Sequence, residues 1–125
     1  MTYLAAFESG NWRLGRDALA RALANDWPQA QVKLAVSGAA GSEVRDVEWA
    51  FRSGAGELEG YAHADGQGIY LEGPIDMVAD FVVWYRKLVP NDEQLIFCDD
   101  SYSFDGAIPP GATKADVLAV VEQSS

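Results

Sequence analysis

The sequence predicts an α+β domain, in which helices pack on one mainly antiparallel sheet. Apolar and polar residues alternate at period two through much of the first half, a pattern that indicates successive strands. Two longer segments, one before this region and one after it, place apolar residues at helical spacing. The predicted element order is β-α-β-β-β-β-α-β-α. No linker or internal repeat interrupts the 125 residues, so we expect residues 1–125 to form a single domain.

The first two elements are a short strand and an amphipathic helix. The segment Thr2–Phe7 is apolar and aromatic, which is typical of a strand. Asn11 is a suitable N-cap for a helix beginning near Trp12, and an apolar stripe then continues at helical spacing to Trp27. Pro28 follows directly and ends the helix, because proline has no backbone N–H to donate.

A meander of four strands follows this helix. The period changes to two from Gln31. The apolar residues Val47, Trp49 and Phe51 then fall at every second position, and the charged residues Asp46, Glu48 and Arg52 belong to the other side of that strand. Residues 57–64 and 69–72 make two further strands, and the Asp-Gly-Gln-Gly turn at 65–68 joins them as a hairpin. We expect these strands to form an antiparallel sheet with one packed face and one solvated face.

The second half of the chain is expected to contain a helix, a strand and a last helix. Pro74 suits the first position of a helix, where its missing N–H costs least, and Pro90 closes that helix. The continuous apolar run at 95–98 predicts a strand covered on both faces. Thr113 is the predicted cap of the last helix.

Acidity is the least ordinary property of the composition. Nine Lys and Arg residues face nineteen Asp and Glu residues, for a net charge of −10. The imbalance is uneven, because residues 1–62 carry a net charge of −2 and residues 63–125 carry −8. Such a field repels nucleic acid and anionic lipid, so neither is an expected partner. It attracts basic proteins and speeds their association.

Residues that usually carry catalysis are scarce. His63 is the only histidine, too few for a catalytic triad or a His-rich metal site. It shares the expected solvated side of its strand with Glu57, Glu59 and Tyr61. Cys98 is the only cysteine and is expected to be a small buried hydrophobe within its apolar run. We therefore predict no enzymatic activity, no catalytic residue, no metal and no cofactor.

The amino-terminal residues bear on where the protein works. They lack the basic region and the long apolar stretch of a signal peptide. The longest apolar run of the chain is also far shorter than a membrane span. We expect a cytoplasmic protein with no membrane contact.

The acidic and aromatic segment after residues 95–98 is the best candidate for a functional site. It precedes a rigid Pro-Pro-Gly at 109–111, so a surface loop is expected. One interpretation is a cation site, although the spacing does not fit the EF-hand pattern. Another is a solvated loop whose aromatic side chains fold back onto the core. We favour a third, an interface with aromatic anchors and steering carboxylates. Its residues would be Asp99, Asp100, Tyr102, Phe104 and Asp105.

Several motifs distributed over most of the chain also occur together in a known group of proteins. They lie at 27–30, 47–51, 58–60, 69–73, 81–90 and 95–102. The most telling is Phe-Val-Val-Trp-Tyr-Arg-Lys-Leu-Val-Pro at 81–90, followed by Leu-Ile-Phe-Cys-Asp-Asp-Ser-Tyr at 95–102. These motifs resemble those of small bacterial immunity proteins of polymorphic toxin systems, including contact-dependent inhibition, Rhs and type VI effectors. The resemblance implies a cytoplasmic protein that binds and neutralises a cognate toxin domain, and it transfers no catalytic residue.

Charge adds an expectation about the toxin, and two other functions stay open. Toxins that cut nucleic acid tend to have basic clefts, so an acidic inhibitor suits a nuclease. A small ligand-binding or enzymatic domain using Asp99 and Asp100 would instead show a raised pKa beside a pocket. A structural adaptor module would have no toxin gene as a neighbour.

Overall fold

The computed structural model describes residues 2–7, 16–34, 45–54, 56–63, 68–99, 101 and 104–122. Asn11, the predicted cap of the first helix, lies outside the described residues, as do residues 65–67 of the predicted hairpin turn. The side chain of His63 also lies outside what is described.

Three helices and seven strands make up the regular structure of the described residues. The strands are β1 (Thr2–Phe7), β2 (Gln31–Leu34), β3 (Arg45–Ser53), β4 (Gly56–His63), β5 (Gly68–Glu72), β6 (Leu95–Asp99) and β7 (Asp105–Ile108). The helices are α1 (Arg16–Asp26), α2 (Ile75–Leu88) and α3 (Lys114–Glu122). All seven strands form one antiparallel sheet in the order β2-β3-β4-β5-β1-β6-β7. The predicted α+β class is confirmed.

Strand β1 joins the two halves of the sheet. Tyr3 is in register with Leu71 of β5 on one side and with Asp99 of β6 on the other. The meander β2 to β5 and the carboxyl-terminal pair β6 and β7 therefore share the first strand of the chain. Pairing of this kind requires contacts between residues far apart in sequence, which is costly in chain entropy until the packed face repays it.

Strand β7 is absent from the predicted order, because its residues are expected to lie in a surface loop. That assignment is wrong for Asp105–Ile108. The sequence Asp-Gly-Ala-Ile has little intrinsic preference for strand. Antiparallel pairing with β6, from Leu95 opposite Ile108 to Cys98 opposite Asp105, holds it in the sheet instead.

An aromatic cluster fixes α1 and α2 to one face of the sheet. Phe81 of α2 stacks on Trp49 of β3, with ring centroids 5.3 Å apart and an interplanar angle of 12°. Trp27, directly after α1, meets Phe81 at 5.3 Å and the edge of Phe51 at 5.3 Å. Since Trp49 and Phe51 are two residues apart on one strand, both helices cover the same face.

Helix α3 lies on this face as well and begins with a reciprocal cap. The Asp116 N–H donates to the Thr113 hydroxyl at 3.3 Å, and the Thr113 N–H donates to the Asp116 carboxylate at 2.9 Å. The predicted cap at Thr113 is confirmed, with Asp in the place that Glu takes in a capping box. Val120 covers Gly106, where an added Cβ would lie 2.8 Å from the valine Cγ1. None of the described helices is long and apolar enough to cross a membrane.

The buried guanidinium of Arg86 lies at the carboxyl-terminal end of α2. Arg86 is 3% exposed, and its Nη1 donates to the carbonyls of Val89 at 3.0 Å and Pro90 at 3.2 Å. Its Nη2 donates to the Glu93 carbonyl at 3.0 Å. Burial lowers the pKa of Arg86, yet an arginine side chain stays charged in proteins. The side chain thus satisfies carbonyls beyond the helix end and fixes the path of the chain toward β6.

Replacing Arg86 with Met should destabilise the fold by about 2–4 kcal/mol, because it removes charge-assisted hydrogen bonds and leaves the accepting carbonyls partly buried. Urea denaturation measures the change in the free energy of unfolding. Lys87→Met is the matched control, since Lys87 is exposed on the same turn, and it should change stability by less than about 1 kcal/mol. Equal losses in the two variants would contradict a role for the carbonyl contacts.

Candidate binding face

The predicted interface residue Asp99 is buried and does not face solvent. It is the last residue of β6 and has 0% exposure. The Ser101 hydroxyl donates to its carboxylate at 3.3 Å. Burial, and then the charge of Asp99, raise the pKa of Tyr3, which lies opposite Asp99 in the register. The expectation that Asp99 steers a partner from a surface loop is therefore wrong, because the strand extends one residue further than the apolar run.

Phe104 is also buried, with 5% exposure. Its ring lies 5.4 Å from that of Phe97 and 6.1 Å from that of Tyr3, on the helix-covered side. The prediction of Phe104 as an exposed anchor is wrong, and the alternative in which aromatics fold back onto the core describes it correctly. The physical reason is the formation of β7, which returns the chain along β6 and carries Phe104 over the core.

The other predicted interface residues differ in their placement. Asp105 is exposed, and its register with Cys98 places it on the opposite face of the sheet from Phe97. Asp100 and Tyr102 lie outside the described residues. Burial, and then the charges of Asp99 and Asp105, raise the pKa of Cys98, which disfavours the reactive thiolate. As predicted, Cys98 is buried.

The face of the sheet opposite the helices carries the strongest concentration of polar chemistry in the described residues. We call it the open face. Strand register arranges its side chains in two neighbouring rows across β2, β3, β4, β5 and β1. The first row is Lys33, Glu48, Tyr61, Tyr70 and Leu4, and the second is Gln31, Ala50, Glu59, Glu72 and Thr2. Glu59 and Tyr61 lie on this face, as the alternation predicted.

A stacked pair of tyrosines stands at the centre of the open face. Tyr61 of β4 and Tyr70 of β5 are directly opposite each other, with ring centroids 4.6 Å apart and an interplanar angle of 16°. Both side chains are half-buried. Cross-strand aromatic pairs of this kind add stability to a sheet and hold both rings in fixed positions. The tyrosines therefore form an aromatic ridge among charged residues.

Carboxylates crowd the row beside the tyrosines. The pKa of Glu59 is raised, first by its hydrogen bond with Glu57 and further by the charges of Glu57 and Glu72. The pKa of Glu57 is lowered, first by its hydrogen bond with Arg52, whose Nη2 lies 2.8 Å from the carboxylate. A proton on Glu59 is therefore stabilised by its hydrogen bond to the Glu57 carboxylate. The like charges of Glu57 and Glu72 add to the rise in the Glu59 pKa, and a nearby cation would oppose it.

The two rows enclose an open cavity of about 430 Å³. Ala50 is the smallest side chain among the residues that line it from the open face, and the walls include Glu48, Glu59, Tyr61 and Glu72. Carboxylates and tyrosine ring faces both attract cations. In the described part of the chain, no group of three or more His, Cys, Asp or Glu residues is arranged to hold a metal ion. The arrangement suits an organic cation such as a lysine or arginine side chain.

Fold and site together define an acidic α+β protein with one helix-covered face and one cation-attracting face. Comparisons with protein-family models, with curated proteins and with solved structures found no match to the chain.

Carboxyl NMR titration should find Glu59 ionising above its ordinary pKa and Glu57 ionising below it. In Glu57→Gln, the Glu59 pKa should fall toward its ordinary value, because the first cause of its rise is gone. Glu72→Gln should lower the Glu59 pKa by less, and Glu122→Gln on α3 should not change it. An unchanged Glu59 midpoint in Glu57→Gln would contradict the shared proton.

The same shifts have opposite effects on stability as pH changes. Glu59 binds its proton more tightly when folded, so its contribution to stability is present below the unfolded pKa and is lost as pH rises through the folded one. Glu57 behaves in the opposite way, and its contribution is lost as pH falls through its lowered pKa. Both side chains lie at the surface, so solvent screens these effects.

Proposed function

We propose that the protein is an immunity protein, which binds a cognate bacterial toxin domain stoichiometrically and neutralises it in the cytoplasm. The observation that carries the proposal is the open face, where carboxylates surround a rigid tyrosine pair. Aromatic residues surrounded by charge are typical of the centre of a protein interface. A surface of this kind suits a protein partner of opposite charge.

The charge of the whole chain supports a basic partner. A net charge of −10 produces a long-range field that steers a cationic protein toward the complex. Toxin domains that cut nucleic acid present basic clefts to their substrate. An acidic protein docked over such a cleft would exclude the nucleic-acid substrate and complement the positive charge of the cleft. We therefore propose a nuclease domain as the partner.

The resemblance to immunity proteins supports the same class of function through the elements that form the core. The most telling motif, at 81–90, covers the second half of α2 and the turn held by Arg86. The motif that begins at residue 95 forms β6. Most of the large side chains in these two motifs, such as Phe81, Tyr85 and Phe97, are buried in the core. The resemblance therefore rests on residues that build the fold, whereas the proposed binding rests on the open face.

The proposed interface differs in position from the one that the sequence analysis favours. Burial of Asp99 and Phe104 removes both as direct contacts in this conformation. Asp105 remains available, since it is exposed on the same side of the sheet as the tyrosine pair. We place the centre of the interface at Tyr61 and Tyr70, with Asp105 toward the β7 edge.

Co-expression with the toxin domain encoded beside its gene tests the proposed function. The protein should restore growth of cells that express the toxin, and the two proteins should co-purify in equal amounts. Restored growth without a complex would contradict neutralisation by binding. Co-purification without any protection would contradict the immunity function.

Charge reversal on the open face should weaken the complex mainly through association. In the variant Glu59→Lys/Glu72→Lys, the association rate should fall by about tenfold or more at low salt, because steering charges are replaced by repelling ones. Asp76→Lys/Asp92→Lys makes the same change in net charge at exposed sites on α2 and the turn after it. Stopped-flow or surface-plasmon measurements over a range of salt concentrations compare the two variants. An equal fall in both would place the interface elsewhere.

A further inference from the structure

We infer that the open face holds a recess over Ala50 that receives an arginine side chain of the partner protein. This inference rests on the proposed function, because it names the chemistry by which the partner is recognised.

The position of Ala50 in the sheet creates the recess. Ala50 lies between Gln31 on β2 and Glu59 on β4, its partners across the strands. Along β3, its neighbours on the same face are Glu48 and Arg52. Directly opposite side chains stand roughly 5 Å apart and those two residues along a strand roughly 7 Å apart. A methyl group surrounded by four longer side chains leaves a depression between them, which is part of the cavity of about 430 Å³.

The walls of this recess favour a cation. Glu48 and Glu59 occupy two adjoining sides of Ala50, and Glu72 lies one strand beyond Glu59. Lys33, opposite Glu48, also lines the cavity, so the walls carry three carboxylates and one ammonium. Tyr61 is opposite Glu48, so one wall of the recess is an aromatic ring. Negative charge is therefore in excess among the lining residues, and the charges of Glu57 and Glu72 add to the rise in the Glu59 pKa that its hydrogen bond with Glu57 begins. A cation entering over Ala50 would neutralise that excess and contact the ring.

A guanidinium fits these walls better than an ammonium does. It is planar, it can bind a carboxylate through two parallel N–H donors, and it stacks on aromatic rings. An ammonium is a compact, strongly hydrated charge without a face to stack. The chain already makes one guanidinium–carboxylate contact at the border of the recess, where Arg52 lies 2.8 Å from Glu57. The side chain of Arg52 is 81% exposed and leaves the recess itself to an incoming group.

The occupant is a side chain presented by a protein, because the recess is open and lies within a broad acidic face. A free cation would gain only the local carboxylates. A protein segment that places one arginine over Ala50 also brings further basic residues against Glu72 and covers the tyrosine ridge. Energy concentrated on one central arginine is typical of protein interfaces.

Binding of an acetylated and amidated hexa-arginine peptide tests the recess without the toxin. Amide NMR should show saturable shifts at 48, 50, 59 and 61 and smaller ones on α2 and α3. The variant Ala50→Leu fills the recess without changing charge and should weaken this binding by about tenfold. Ala107→Leu is the matched control, because Ala107 is exposed on the open side of β7, and it should bind like the wild type. Circular dichroism and thermal melting establish that both variants are folded.

Two further peptides and one titration test whether the group that enters the recess is a guanidinium. A hexa-citrulline peptide, which has the shape of the arginine peptide without its charge, should not bind. A hexa-lysine peptide should bind several-fold more weakly than hexa-arginine, and equal affinities would overturn the assignment of a guanidinium. Bound hexa-arginine should also lower the Glu59 midpoint, because a nearby cation favours the carboxylate. An unchanged midpoint would overturn the contact with Glu59.

The result for Ala50→Leu distinguishes this inference from the proposed function. Unchanged affinity of Ala50→Leu for both hexa-arginine and the toxin overturns the recess and leaves neutralisation of the toxin intact. If hexa-arginine binding depends on Ala50 but no complex with the toxin forms, the recess stands and the immunity function fails. Chemical shifts centred on Asp92 and Glu93, away from the open face, would also overturn the recess.

Discussion

The stacking of Phe81 on the sheet is the contact on which the rest of the structure depends. This ring of α2 lies within 5.0–5.3 Å of the rings of Trp27, Trp49 and Trp84. It therefore joins two helices and the third strand at a single point. The indole of Trp84 adds a hydrogen bond to Asp26 at 2.6 Å, which ties α2 to the end of α1. Large aromatic surfaces packed in this way contribute much of the burial that offsets the entropy of ordering the chain.

Anchoring one face of the sheet also determines the other face. A strand alternates its side chains, so placing Trp49 under Phe81 places Glu48 and Ala50 on the opposite side. Gly60, the partner of Trp49 across β3 and β4, leaves room for the indole, because an added Cβ there would lie 2.6 Å from the indole nitrogen. A slip of one residue would bury the carboxylates and expose the core. The aromatic packing on the helix side thus fixes where Tyr61, Tyr70 and the glutamates stand.

The alternation of β3 and β4 was enough to predict both the core face and part of the candidate site. Glu59 and Tyr61 could be assigned to a solvated face because period two requires no knowledge of partners. The partnership of Tyr61 with Tyr70 could not be predicted, since it depends on the register across β4 and β5. The sequence predicts the four strands of the meander, but it does not predict which carboxylates are neighbours across them.

The prediction of an exposed loop around Asp99 and Phe104 is wrong for a related reason. Acidic and aromatic residues near prolines are typical of an exposed loop, and no local pattern distinguishes that loop from a short edge strand. Pairing with β6 decides the outcome, and pairing is a property of the whole sheet. Phe104 then finds cover against Tyr3 at the far end of the sequence.

The open face brings like charges close together, and this bears on its role. Stacked tyrosines strengthen the sheet, whereas the pKa of Glu59 is raised first by its hydrogen bond with Glu57 and then by the like charges of Glu57 and Glu72. The glutamates of the open face lie on the side of the sheet opposite the helices, outside the hydrophobic core. A sheet face of neutral polar residues would fold as well and avoid the repulsion. A cationic partner would relieve this excess negative charge, and that is the physical argument for proposing that the open face binds one.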